Sequence, residues 1–246
     1  MLLLVDAGNT RVKWAIAAPG AAPGDWVAHD AVLHADLKRL VPAWSGHGIT
    51  RAIVSNVAGA AVRAELEALL PVAPEWFVST PELAGLRNRY RNPGQLGSDR
   101  FAAALGARTL VPNQALVVAT CGTATTVDAV SADGEFIGGM ILPGLGLMLG
   151  ALARGTAQLP QVAAGDPPAI FADNTQDAIL SGCLSAQAGA IERAASAHAT
   201  AQGAALCIVS GGAAGHVAPL LSVPHRLLDN IVLAGLHAAA SAMGNS

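Results

Sequence analysis

Short apolar runs that end in small-residue turns recur along this chain and set its expected architecture. Leu2-Leu3-Leu4-Val5 runs into Asp6-Ala7-Gly8-Asn9-Thr10, and Ala115-Leu116-Val117-Val118-Ala119 runs into Thr120-Cys121-Gly122-Thr123-Ala124-Thr125-Thr126. An apolar run bounded by turn residues reads as a buried strand. After the first turn, Arg11-Val12-Lys13-Trp14 alternates polar and apolar, which predicts the second strand of a hairpin with Gly8-Asn9 at its tip. Further strands are expected over residues 51–57, 76–78, 125–130, 135–141 and 205–209. Val62, Leu66, Leu69 and Leu70 fall at helical spacing over 60–70, and Pro71 stops that helix. Other helices are expected over 35–40, from Ser98 as cap to about 108, over 175–199 behind Asp173-Asn174-Thr175, and over 229–243. Residues 18–25 and 87–97 read as loops, the latter turning at Asn92-Pro93-Gly94.

The hairpin-led order occurs twice, which predicts an α/β fold of two related lobes, each a mixed sheet with flanking helices and ligand in the cleft between them. We place the lobes at 1–110 and 111–246, with the closing helix near 229–243 packing back on the first. Hydrophobic residues at 52% against 13% charged supply ample core for two such lobes. The uncharged stretches 109–127 and 136–153 approach membrane-span length, but Pro112 interrupts one and Pro143 and a set of glycines the other, so no membrane partner is expected. Met1 leads straight into a strand without a basic leader. Cys121, Cys183 and Cys207 show no CxxC spacing, which favours reduced thiols and a cytoplasmic protein. The histidines lack zinc-ligand spacing, and a net charge of −3 without a basic run argues against nucleic acid.

Glycine- and hydroxyl-rich turns let backbone N–H groups approach a polyphosphate. Asp6, at a strand end, either closes the hairpin as an Asx-turn or holds hydrated Mg²⁺ against nucleotide phosphates. Asn9, Thr10 and Lys13 lie in reach of the same phosphates, although Lys13 also suits a solvated strand face. In Gly97-Ser98-Asp99-Arg100, Ser98 or Asp99 serves as an ordinary helix cap, or Asp99 accepts a proton from an attacking hydroxyl while Arg100 binds an anion. The helix N-terminus should favour the ionised form of Asp99. Gly122, Thr123, Thr125 and Thr126 read as a second phosphate turn or as a hydroxyl-rich β-turn. Cys121 reads as a small filler and Ser210-Gly211-Gly212-Ala213 as a weak nucleotide-backbone signal. Tyr90, the single tyrosine, sits in a polar loop where it can face substrate.

Together, Asp6-x-Gly8-Asn9-Thr10, Asn92-Pro93-Gly94 with Gly97-x-Asp99-Arg100, Gly122-Thr123-Ala124-x-Thr126-x-Asp128 and Gly138-Gly139-x-Ile141-x-Pro143-Gly144 stand in the order seen in type III pantothenate kinases. Thr156-Ala157-x-Leu159-Pro160 and Asn174-Thr175-x-x-Ala178-Ile179-x-x-Gly182 extend the resemblance over nearly the whole chain. It implies the actin-like (ribonuclease H-like) superfamily and a cytoplasmic homodimer that phosphorylates pantothenate with ATP and Mg²⁺ in the first step of coenzyme A synthesis. By that resemblance Asp6, Ala7, Gly8, Asn9, Thr10, Arg11, Val12 and Lys13 form the first phosphate loop, and Gly122 and Thr123 contact ATP in the second. Asp99 is the implied general base. Tyr90, Gly97, Ser98, Asp99, Arg100 and Thr175 are the implied pantothenate site, with Arg100 on the carboxylate and Thr175 serving a partner's site. The family carries an aspartate two residues before its GTA sequence, where it helps hold potassium or ammonium. Here that position is Thr120, so affinity for a monovalent cation should fall. The alternatives are a sugar or acid kinase of the same fold, and a regulatory protein that has kept the fold.

Overall fold

The computed structural model describes residues 1–244. In chain order the elements are β1 (Leu2–Ala7), β2 (Arg11–Ala17), β3 (Ala28–Leu33), α1 (Leu40–Trp44), β4 (Arg51–Asn56), α2 (Ala60–Leu69), β5 (Pro74–Trp76), β6 (Glu82–Leu83), β7 (Leu86–Asn88) and α3 (Ser98–Leu110). They continue with β8 (Leu116–Cys121), β9 (Ala124–Val130), β10 (Glu135–Pro143), α4 (Leu145–Gly155), α5 (Thr175–Gln202), β11 (Leu206–Ser210), α6 (Ala214–Val217), β12 (His225–Leu227) and α7 (Ile231–Met243).

These elements form two compact units. One comprises Met1–Pro112, Gly134–Phe136 and the chain from Asn230 onward; the other comprises Asn113–Asp133 and Ile137–Asp229. The first unit's strands run in the order β3-β2-β1-β4-β5, with β1, β2 and β3 antiparallel neighbours and β4 parallel to both β1 and β5. The second repeats it as β10-β9-β8-β11-β12, with β8 antiparallel to β9 and β11 parallel to β8 and β12. The repeat expected from the order of apolar runs is therefore a repeat of topology, strand for strand.

Each sheet buries one face beneath helices. Leu3, Val5, Val12, Trp14, Ile16 and Val54 meet Leu37, Leu40, Trp44 and Leu66 in the first unit. Val117, Ala119, Cys121, Val127, Cys207 and Val209 meet Leu149, Leu184 and Ile191 in the second. On the first unit's other side α3 packs on α7 with backbones nearly touching. A Cβ at Gly106 would overlap the Ile231 carbonyl, and one at Gly235 the Ala102 carbonyl. This close approach assigns α7 to the first unit and fixes α3, whose first turn carries the candidate chemistry.

Three local expectations are corrected, and one strand is added where none was expected. The added strand is β3, residues 28–33, where His29-Asp30 breaks up the apolar positions Ala28, Ala31, Val32 and Leu33; it completes the sheet edge along β2. The strand expected at 76–78 lies at Pro74–Trp76. The 87–97 segment begins as β7, which pairs in parallel with Glu135-Phe136 at the start of β10. The helix at Ser98 starts one residue earlier than a serine cap would place it: Gly97 is the cap, and Ser98 is the first helical residue.

Candidate active site

In β1 the register sets Asp6 opposite Lys13 on β2 and beside Ser55 on β4. Residues paired across neighbouring strands project to the same face. Lys13, Asp6 and Ser55 therefore form one polar row, two residues short of the Gly8 turn. Ser55 is fully buried and its hydroxyl lies 2.8 Å from that of Ser98, the first residue of α3. That bond ties the end of the row to the helix that presents Asp99.

Asp6 is half-buried, and its Oδ1 is sealed from solvent with no hydrogen-bond partner. Desolvation, helped by the charge of Asp99 and opposed by Lys13, pushes its pKa up to about 7. An unpartnered buried carboxylate oxygen is costly unless something occupies it. The sharing of one field by Asp6 and Asp99 brings together two residues that lie far apart in sequence.

Asp99 accepts the Arg100 N–H at 2.8 Å through Oδ1. The helix N-terminus was expected to favour its ionised form. Burial instead raises its pKa, outweighing the Arg100 amide and guanidinium. Desolvation wins because the first turn of α3 lies against protein rather than water. Gly97 leaves room for this carboxylate: a Cβ there would come within 2.6 Å of Asp99 Oδ1.

Arg100 is buried, and its Nη1 donates to the Tyr90 hydroxyl at 2.9 Å. Its guanidinium carbon lies 5.7 Å from the Tyr90 ring centre and 5.9 Å from that of Phe136. The two rings meet edge to face at 5.8 Å. Buried Asn88 shapes the loop that delivers Tyr90, accepting the Tyr90 N–H at 3.0 Å and donating to the Pro93 carbonyl at 3.1 Å. Tyr90, Gly97, Ser98, Asp99 and Arg100 are thus one connected group on the first unit, with Asp6 within electrostatic range.

In the second unit Gly122 and Thr123 form the tip of the β8–β9 hairpin, both exposed, where the Gly122 N–H reaches the Ala124 carbonyl at 3.1 Å. Two other loops close on this tip. The Gly144 N–H bonds the Thr123 carbonyl at 3.0 Å, and the Ala213 N–H bonds the Cys121 carbonyl at 3.0 Å. Thr120 pairs with Thr126 on β9 and with Ser210 on β11, so a row of three hydroxyls occupies the place that Lys13, Asp6 and Ser55 hold in the first unit. Thr120 Oγ1 is buried without a partner. Burial raises the Cys121 thiol to about 11, so it is a filler and not a nucleophile. Thr175 opens α5, is exposed, and lines an apolar groove of about 800 Å³ with Met148, Leu152, Leu159 and Ile179.

Three residues that shape the site were not singled out from sequence. Ser55 had a signal, a lone hydroxyl inside the apolar run Ala52-Ile53-Val54. Phe136 and His34 had none, because their partners lie far away along the chain: Phe136 beside Tyr90 and Arg100, and His34 2.8 Å from the Gly8 carbonyl.

Residues 2–197 match the family model of the type III pantothenate kinases. A type III pantothenate kinase of Herminiimonas arsenicoxydans is 58% identical over 98% of this chain and 97% of its own length. That of Janthinobacterium sp. (strain Marseille) is also 58% identical, with the same coverage. Among solved structures, a Baf family protein from Campylobacter jejuni superposes with a TM-score of 0.64 at 18% identity, covering 99% of this chain and 100% of that one. The activator of 2-hydroxyisocaproyl-CoA dehydratase from Clostridium difficile, solved with bound ADPNP, superposes with a TM-score of 0.52 at 14% identity, covering 99% and 94%. These two likenesses speak for the fold alone, an α/β architecture of mixed sheets with flanking helices.

Proposed function

The chain belongs to the type III pantothenate kinase family, and we propose that it transfers the terminal phosphate of ATP to the primary hydroxyl of pantothenate, opening coenzyme A synthesis. The observation that carries the mechanism is the desolvated Asp99 carboxylate beside Asp6, with Arg100 and Tyr90 next to it. Phosphoryl transfer asks for positioning and charge neutralisation more than for covalent chemistry. Asp99 orients the attacking hydroxyl and takes its proton as the new O–P bond forms and the bond to the leaving ADP oxygen breaks. A carboxylate with a raised pKa is a stronger base for that step. Arg100, held by the Tyr90 hydroxyl and two ring faces, pairs with the pantothenate carboxylate. Lys13 and the amides of residues 6–13 meet the ATP phosphates.

Mg²⁺ supplies charge neutralisation on the transferring phosphate, and the unpartnered Asp6 Oδ1 fits a ligand to one of its waters. The Thr126–Thr120–Ser210 row offers neutral oxygens only, so potassium or ammonium bound there would be held more weakly than by a carboxylate. Two copies are expected to associate through the α4–α5 surface, bringing Thr175 to the partner's site. The apolar groove and the exposed Ile170 and Phe171 in the same unit support that arrangement. A cytoplasmic location fits the reduced thiols, and among the described residues no helix is long and apolar enough to cross a membrane.

The test is ADP release from the purified protein with Mg-ATP, with and without pantothenate and with and without potassium or ammonium. Pantothenate-dependent turnover that changes little with the cation is expected. ADP release that ignores pantothenate but responds to a sugar or another hydroxy acid overturns the substrate assignment.

A further inference from the structure

The turn between β1 and β2 is held from outside its own hairpin. After β3 the chain winds through a 3₁₀ turn, His34–Arg39, and places His34 Nε2 2.8 Å from the Gly8 carbonyl oxygen. A carbonyl oxygen only accepts, so Nε2 carries the proton in this contact. The Gly8 N–H is bonded to the Arg11 carbonyl at 3.1 Å. Both polar backbone groups of Gly8 are therefore committed, one within the hairpin and one to His34.

The peptide that joins Gly8 to Asn9 is planar and trans, so its C=O and its N–H point in opposite directions. Directing the Gly8 carbonyl toward His34 aims the Asn9 N–H away from His34. Asn9 and Thr10 are the exposed tip of this turn. Rotating this one peptide unit about its long axis would exchange the N–H for the C=O on the outward face. One orientation offers a donor to an anion, the other the negative end of a carbonyl dipole.

We infer that His34 is a positioning residue for the nucleotide, selecting the peptide orientation in which the Asn9 N–H faces the phosphates. The inference rests on the kinase reading of the turn. His34 itself stays behind the turn and acts only through the Gly8 carbonyl.

The experiment compares the wild type with His34→Phe, which keeps a ring and removes the donor, and His34→Gln, which keeps an N–H that can reach a carbonyl. Equilibrium binding of Mg-ADPNP is measured for each, together with KM for ATP and for pantothenate, kcat and Tm. Loss of one neutral hydrogen bond predicts nucleotide affinity about threefold to tenfold weaker in His34→Phe, with KM for pantothenate and Tm unchanged. His34→Gln should regain most of that loss. In ¹⁵N-labelled wild type the Asn9 amide resonance should shift on addition of Mg-ADPNP, and in His34→Phe that shift should be lost. Equal nucleotide affinity in wild type and His34→Phe overturns the inference. So does a fall in Tm with both KM values rising together and no recovery in His34→Gln, which would mark a purely structural contact. If His34→Phe does not fold, the wild-type Asn9 resonance and the His34→Gln affinity decide between the same outcomes. A wild type that binds no Mg-ADPNP removes the kinase reading and this inference with it, and is distinguished from failure of the inference alone by the wild-type titration.

Discussion

The two hairpin turns occupy equivalent places in the two units yet carry opposite chemistry. In the first, the row two residues before the glycine reads Lys13, Asp6, Ser55 across β2, β1 and β4; in the second it reads Thr126, Thr120, Ser210 across β9, β8 and β11. The backbone frame is the same, but one row holds a buried carboxylate whose pKa is about 7 and the other holds hydroxyls alone. The charged row adjoins α3, which brings Asp99 into its field, and Ser55 is bonded to the first residue of that helix. Beside the neutral row the helices α4 and α6 begin, capped by Gly144 and Ala213. The hairpin tip there is clamped by the loops at those two residues. We read the first turn as the one that manages charge and proton, and the second as a shaped backbone surface for phosphate. The two units share the frame, and the rows differ in charge at two strand positions, Lys13 against Thr126 and Asp6 against Thr120.

The largest expected effect breaks the charged side of this comparison. Asp99→Asn keeps the shape and removes the base, so turnover should fall about 10²- to 10⁴-fold while pantothenate binding is kept. Steady-state kinetics with an equilibrium binding titration measures both. Near-normal turnover would take Asp99 out of the proton transfer and leave the two turns more alike than the electrostatics suggests.

A smaller effect separates Asp6 from Thr120. Because the folded state raises the Asp6 pKa from 3.8 to about 7, native protein binds that proton more tightly than unfolded chain does. The contribution to stability is therefore greatest below pH 3.8, declines as pH rises toward 7, and is constant above it. Asp6→Asn should stabilise the ligand-free protein at pH 8 by about 2–4 kcal/mol, with the gain vanishing below pH 4. Thr120→Val removes an unpartnered hydroxyl that does not titrate, so its effect should be the same at both pH values. Urea titrations at pH 4 and pH 8 check the pair. A gain for Asp6→Asn that does not change with pH would mean that its carboxylate is not held protonated by burial.

Much of this was legible before the structure, for local physical reasons. Leu2-Leu3-Leu4-Val5 and Leu116-Val117-Val118 read as buried strands by their shortness and their flanking turn residues, and the glycine after each marks the turn. Asp6, Asp99 and Arg100 stood out as candidates because each carries charge at an element boundary. What stayed hidden is long-range. The direction of the Asp99 pKa shift depends on how deeply α3 sits, and that depends on glycines Gly106 and Gly235 meeting across more than a hundred residues. β3 was missed because its partner β2, not its own pattern, makes it a strand. His34 and Phe136 acquire their roles only when the chain returns to Gly8 and to Tyr90.

The smallest effects come from placing the same methyl group at three glycines. A Cβ at Gly8 would meet only the Arg11 carbonyl at 3.5 Å, and one at Gly122 only the Ala124 carbonyl at 3.4 Å. Neither glycine has a positive φ, so neither turn requires glycine for its own conformation. Gly144 differs, because a Cβ there would overlap the Gly122 carbonyl and approach the Thr123 carbonyl at 2.5 Å. Both are rigid backbone atoms that cannot swing aside as a side-chain end would. Gly144→Ala should therefore cost about 1–3 kcal/mol of stability by overpacking, whereas Gly8→Ala and Gly122→Ala should each stay within about 1 kcal/mol. Thermal unfolding ranks the three. Gly8→Ala and Gly122→Ala become informative through their KM for ATP, since a methyl group that costs the fold little still obstructs a phosphate approaching the backbone. An unchanged KM in both variants would mean that ATP is gripped by side chains, and that the small size of these turns serves the hairpins alone.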